Sequence, residues 1–119
     1  MKKFLIISTA TDLVRVSPEK IVYISSDGNY STLFLVDGDT RVLTFQIGQL
    51  EKMIEEQLGN ERNSFIRIGR SLIINHSYIY YINVSKQKLI LSDNERFTHT
   101  VTASREALAQ LKSHVEKEA

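Results

Sequence analysis

The sequence predicts a mainly β domain that carries one central and one C-terminal helix. Three observations predict it. Short β-favouring runs are separated by tight-turn signals, Asp27-Gly28-Asn29 and Asp37-Gly38-Asp39. Ile47, Leu50, Ile54 and Leu58 recur at helical spacing, with Met53 beside them. Ala107, Leu108, Leu111 and Val115 do the same near the end of the chain. At 119 residues the chain makes one domain, residues 1–119, able to bury one core but not two.

The elements follow in order. Phe4 to Ile7 reads as a strand, because its apolar run is only four residues and no cleavage-like site follows the Met1-Lys2-Lys3 start. Asp12 to Val16 is a second extended piece. Ser17-Pro18-Glu19-Lys20 places a capping residue before a proline and predicts one helical turn. Ile21 to Ser26 is a strand that turns at Asp27-Gly28-Asn29. In its partner, Tyr30 to Val36, Leu33 and Leu35 face one side and Tyr30, Thr32, Phe34 and Val36 the other. Arg41 to Phe45 returns after the second turn. Thr44 is the expected cap of the central helix and Gly59-Asn60 its expected stop. Phe65 to Asn75 is a strand-rich stretch, Tyr78 to Val84 a further strand, and a turn near Ser85-Lys86 leads to Lys88 to Leu91. Asp93-Asn94 turns again, Phe97 to Val101 is the last strand, and Ser104 caps the terminal helix.

Composition narrows the function. Fifteen Lys and Arg oppose fourteen Asp and Glu, a formal charge of +1. That balance leaves nucleic-acid binding open, since an acidic helix can mask a basic face in the sum. No cysteine is present, so disulfides and thiolate metal sites are excluded. His76, His99 and His114 have no spacing that nominates a triad or a zinc site, and the glycines form no phosphate loop. The sequence therefore predicts no enzyme, no cofactor and no metal. Asp27, Asp37 and Asp39 fit hairpin tips better than a calcium loop. No run approaches a membrane span, and the expected location is cytoplasmic.

Phe65-Ile66-Arg67-Ile68-Gly69-Arg70-Ser71-Leu72-Ile73-Ile74-Asn75 carries the chemistry. Arg67 and Arg70 would face opposite sides of a regular strand, so both serve one surface only if the backbone turns near Gly69. Arg67 then lies along the sheet, in a salt bridge or on a phosphate, while Arg70 projects from the loop. A guanidinium suits guanine or phosphate, and an ordinary surface arginine pair has the same spacing. Ser104-Arg105 opens the last helix, whose free amides would accept a phosphate. Tyr30, Tyr78, Tyr80 and Tyr81 read as core or strand-face residues unless they line one exposed sheet, which would favour RNA.

The order of four blocks resembles the LytTR family of DNA-binding domains over roughly residues 14–111. The blocks are Ile21 to Tyr30, the helix Leu50 to Leu58, Phe65 to Asn75, and Ser104-Arg105. The resemblance implies an elongated arrangement of short antiparallel sheets that places loops on double-stranded DNA. It implies contacts from Asn29, Tyr30 and Ser31, from Gly69, Arg70 and Ser71 with Arg67 beside them, and from Arg105. It further implies repeated promoter half-sites, two copies on DNA, and a role as the output domain of bacterial response regulators. Many members carry His where this chain has Gly69. No receiver domain accompanies the match, so the expected regulator acts alone or answers to a separate signalling protein. The alternative is a non-catalytic protein-interaction module that keeps the fold without binding DNA.

Overall fold

A five-stranded antiparallel sheet organises the molecule. The structure, a computed structural model, describes residues 3–59 and 64–119. Asn60 of the expected helix stop, and Arg62, lie outside the described residues. In order the elements are β1 (Leu5–Ser8), β2 (Leu13–Val16), a 3-10 turn (Pro18–Lys20), β3 (Ile21–Asp27), β4 (Tyr30–Leu35), β5 (Thr40–Leu43) and α1 (Ile47–Leu58). Then come β6 (Phe65–Ile68), β7 (Leu72–Asn75), a 3-10 turn (His76–Tyr78), β8 (Ile79–Asn83), β9 (Lys88–Ser92), β10 (Thr98–Thr102) and α2 (Arg105–Glu116). The central sheet has the order β5-β4-β3-β7-β6; β1 and β2 form a hairpin, and β10-β9-β8 a three-stranded sheet. This is the expected mainly β fold with two helices, 43 Å long and 26 Å across its thinnest axis.

The expectation of a single core is corrected, because the central sheet is buried on both faces. Side chains alternate along β7: Ile73 joins the cluster formed by α1 and the β1–β2 hairpin, while Leu72 and Ile74 join the cluster formed with β9, β10 and α2. The greasy run Leu72-Ile73-Ile74 thus feeds two clusters. In β3 a bulge between Ile21 and Tyr23 turns Val22 and Tyr23 to the α2 side and leaves Ile21 and Ile24 on the α1 side. Ile47, Leu50, Ile54 and Leu58 of α1 are all buried. The Gln57 amide adds a strand-like pair to β1, accepting from the Ile6 N–H and donating to the Ile6 carbonyl, both at 2.8 Å.

The caps differ from one another. Ser104 Oγ accepts the Ala107 N–H at 3.1 Å, as expected for α2. At α1 the cap is Gln46 and not Thr44: Gln46 and Gln49 make a capping box, in which Gln49 Oε1 accepts the Gln46 N–H at 2.8 Å. The reason is that Phe45 is held back at β4, where its carbonyl accepts the Ser31 hydroxyl, so the helix starts two residues beyond Phe45. Asp37 and Asp39 do serve a hairpin tip, with Asp37 Oδ1 accepting the Asp39 N–H at 2.9 Å and Asp39 pairing with Arg41 at 3.2 Å.

Two features join the parts. Buried Asn75 donates to the Pro18 and Ile21 carbonyls at 3.3 and 2.9 Å and accepts the Ser77 N–H at 3.0 Å, so it seals the end of β7 against the start of β3. Between the two larger sheets, Tyr23 stacks on Phe34 with ring centroids 4.2 Å apart, and His99 meets both rings edge-on. Replacing Asn75 by Ala takes a buried donor from the Ile21 carbonyl and an acceptor from the Ser77 N–H. The expected loss is about 2–4 kcal/mol in urea unfolding, and a loss under about 1 kcal/mol would refute this role. Burial pushes the His99 imidazole below its ordinary value near 6.5. The unfolded chain then binds the proton more readily, so this contribution is complete above pH 6.5 and is lost as pH falls from there towards the folded-state value. His99→Phe is expected to flatten the difference in urea midpoint between pH 7 and lower pH; an unchanged slope would count against it.

Candidate nucleic-acid interface

Two turns predicted to carry contacts lie side by side at one end of the central sheet. The β3–β4 turn places its positive φ, +66°, on Gly28 and leaves Asn29 and Tyr30 exposed. The β6–β7 turn is Gly69-Arg70-Ser71, closing the pair Ile68↔Leu72. Gly69 has φ +59°, and a Cβ there would meet nothing within 4 Å, so the demand for glycine is conformational rather than steric. Because β3 pairs with β7 through Ser25↔Leu72, the turns are joined directly: the Ser26 N–H donates to the Ser71 carbonyl at 2.8 Å.

The two arginines have separate tasks. Arg67 faces α1, where Nη1 meets Glu51 Oε1 at 2.8 Å. Its Nε donates to the Gly69 carbonyl at 3.2 Å and its Nη2 to the Arg70 carbonyl at 3.1 Å. One guanidinium therefore holds the turn from beneath, and the salt-bridged reading of Arg67 is the one its geometry supports. Arg70 is exposed, and among the described residues its side chain has no hydrogen-bond or ion-pair partner. Ser71 is exposed beside it.

Ser31 is corrected as a contact residue. It is fully buried, and its hydroxyl donates to the Phe45 carbonyl at 2.7 Å. Next to Tyr30, which is 55% exposed, Ser31 points to the opposite side of the strand. Asn29 remains outside, with Oδ1 accepting from Gln46 Nε2 at 3.1 Å.

Arg105 opens α2 beside the connection between β8 and β9. The far end of that helix is anchored at His76, whose Nε2 pairs with Glu118 and whose ring meets His114 edge-on. His76 follows Asn75, the partner of Phe65 at the start of β6. At the near end, Ala107 lines a groove with Ile68 and Gly69. At the N-terminus of α2, Arg105 Nη2 donates to the Ser85 carbonyl at 3.4 Å, next to exposed Lys86. Lys86 and Gln46 were absent from the predicted contact set. A Gln-x-x-Gln cap was legible in the sequence, whereas nothing local signalled that Lys86 would join Arg105.

The tyrosines are spread over separate elements: Tyr30 sits at a hairpin tip of the central sheet, Tyr78 packs edge-on against Phe97, and Tyr80 and Tyr81 are exposed beside the bulge of β8. Among the described residues no group of three His, Cys, Asp or Glu is placed to hold a metal, and no helix is long and apolar enough to cross a membrane.

The LytTr DNA-binding domain family matches residues 11–116. A comparison with curated proteins found no match. One solved structure that the chain resembles is the LytTr DNA-binding domain of a methyl-accepting/DNA response regulator from Bacillus cereus, with a TM-score of 0.64, 19% identity, and 95% of this chain and 96% of that one covered. At that identity the likeness speaks to the fold alone. The family match spans nearly the whole domain, and on it the chain belongs to the LytTR family of DNA-binding domains, non-catalytic modules of bacterial transcription regulation.

Proposed function

We propose that this domain recognises double-stranded promoter DNA sequence-specifically through loops, with two copies occupying repeated half-sites. The observation that carries the reading is the direct bond between the two turns, Ser26 N–H to Ser71 carbonyl, beside an Arg70 with no partner of its own among the described residues. Arg70 reads a base edge, because a guanidinium offers two parallel donors to guanine. Asn29 contributes hydrogen bonds beside it. Tyr30, Ser71, Lys86 and Arg105 lie on the phosphates and fix register, and the exposed backbone at Gly69 allows close approach. Arg67 acts through the turn it braces. A separate signalling protein supplies the regulatory input. An exposed Arg70 without a partner among the described residues, and an exposed Lys86 beside Arg105, favour DNA over an adaptor that had kept the fold and lost DNA.

Selection from a random duplex pool is expected to enrich a repeated motif. With that duplex, Arg70→Ala is expected to cost about 1–3 kcal/mol of discrimination at one base pair, while affinity for shuffled DNA changes far less; fluorescence anisotropy reads both. Unaltered discrimination would remove Arg70 from the reading role. Log affinity is expected to fall linearly with log salt, and Lys86→Ala to reduce that slope by about one unit with no change in sequence preference. An unchanged slope would place Lys86 off the phosphates.

A further inference from the structure

The tip of the β3–β4 hairpin is held by the start of α1. Gln46 Nε2 donates to Asn29 Oδ1 at 3.1 Å. Gln46 opens the capping box of α1, in which Gln49 Oε1 accepts the Gln46 N–H at 2.8 Å and the Gln49 N–H donates to the Gln46 carbonyl at 3.0 Å. Two residues along β4, the Ser31 hydroxyl fixes the Phe45 carbonyl, so the backbone leading to Gln46 is tied to the same hairpin. Asn29 is exposed, and its Oδ1 already has a donor.

We infer that Gln46 is a positioning residue that decides which end of the Asn29 amide meets DNA. With Oδ1 engaged by Gln46, Asn29 presents the two donors of Nδ2. It takes hydrogen-bond acceptors: a base-edge oxygen or ring nitrogen in the major groove, or a phosphate oxygen. Ser31 belongs to the same device, holding the support and leaving the contact to its neighbour. The inference rests on the DNA-binding reading and extends it to the chemistry of one contact.

The test uses Gln46→Glu. The introduced carboxylate suits a helix N-terminus, but it cannot donate to Asn29. Asn29 then turns its Nδ2 to the carboxylate and its oxygen to the DNA. Gln46→Ser keeps a capping oxygen but has no amide to reach Asn29. Each is made with Asn29 intact and with Asn29→Ala, and binding is measured on the enriched duplex and on its single base-pair variants. Loss of one donated hydrogen bond is expected to weaken binding roughly fivefold to tenfold more when Asn29 is present than when it is Ala. Thermal unfolding is expected to stay the same. If the extra loss is confined to one base pair, the acceptor is a base edge; if it is uniform across variants, the acceptor is a phosphate. Equal effects with and without Asn29 would overturn the inference while leaving the DNA reading intact. Failure of the unmutated domain to enrich any duplex would overturn both.

Discussion

β7 is buried on both faces and hydrogen-bonded along both edges, and the rest of the molecule is arranged to satisfy it. A four-residue strand with no solvent face can present its side chains only alternately, so it needs a partner layer on each side. α1 and the β1–β2 hairpin supply one, and the three-stranded sheet with α2 supplies the other. The register is equally constrained. A slip by one residue would exchange the two apolar sets and carry Arg67 from Glu51 into the α2 cluster. The register also places the Ser71 carbonyl against the Ser26 N–H. The constraint that builds the core therefore also brings the two exposed turns together.

Charge in this domain is divided by geometry more than by count. Arg67 spends its donors on Glu51 and on two carbonyls of its own turn. A partly exposed ion pair of this kind contributes little stability by itself. Its value lies in holding three loop residues in one shape, so that ordering Arg70 on a ligand costs less conformational entropy. The acidic face of α1 accounts for much of the near-neutral sum, with Glu51 spent on Arg67 and Glu55 and Glu56 exposed. Arg70, Lys86 and Arg105 are all exposed, basic groups that the net charge conceals.

Adjacent residues can serve opposite purposes when a strand separates them. Tyr30 and Ser31 stand together among the contacts that the family resemblance implies, yet one faces outward and the other is buried. Ser31 holds Phe45, which delays the start of α1 until Gln46, and Gln46 in turn holds Asn29. A residue absent from the surface thus shapes what the surface offers. The cap expected at Thr44 fails for the same reason: a tertiary bond to the preceding backbone outweighed the local preference for a short hydroxyl side chain.

What the sequence determined by itself was local. Apolar spacing marked α1 and α2, Gly28, Gly38 and Gly69 marked the turns, Ser104 marked a cap, and the ordered blocks marked the family. Each of these depends on residues within a few positions of one another, where periodicity and backbone sterics act directly. Tertiary structure alone decided that the apolar interior splits across a sheet, that Ser26 bonds to Ser71, that Gln46 reaches Asn29, and that Arg105 meets Ser85. These contacts follow from strand order and from the side of the sheet on which each helix lies. Pairing between distant strands is set by how whole faces bury against one another, and no stretch of neighbouring residues contains that information.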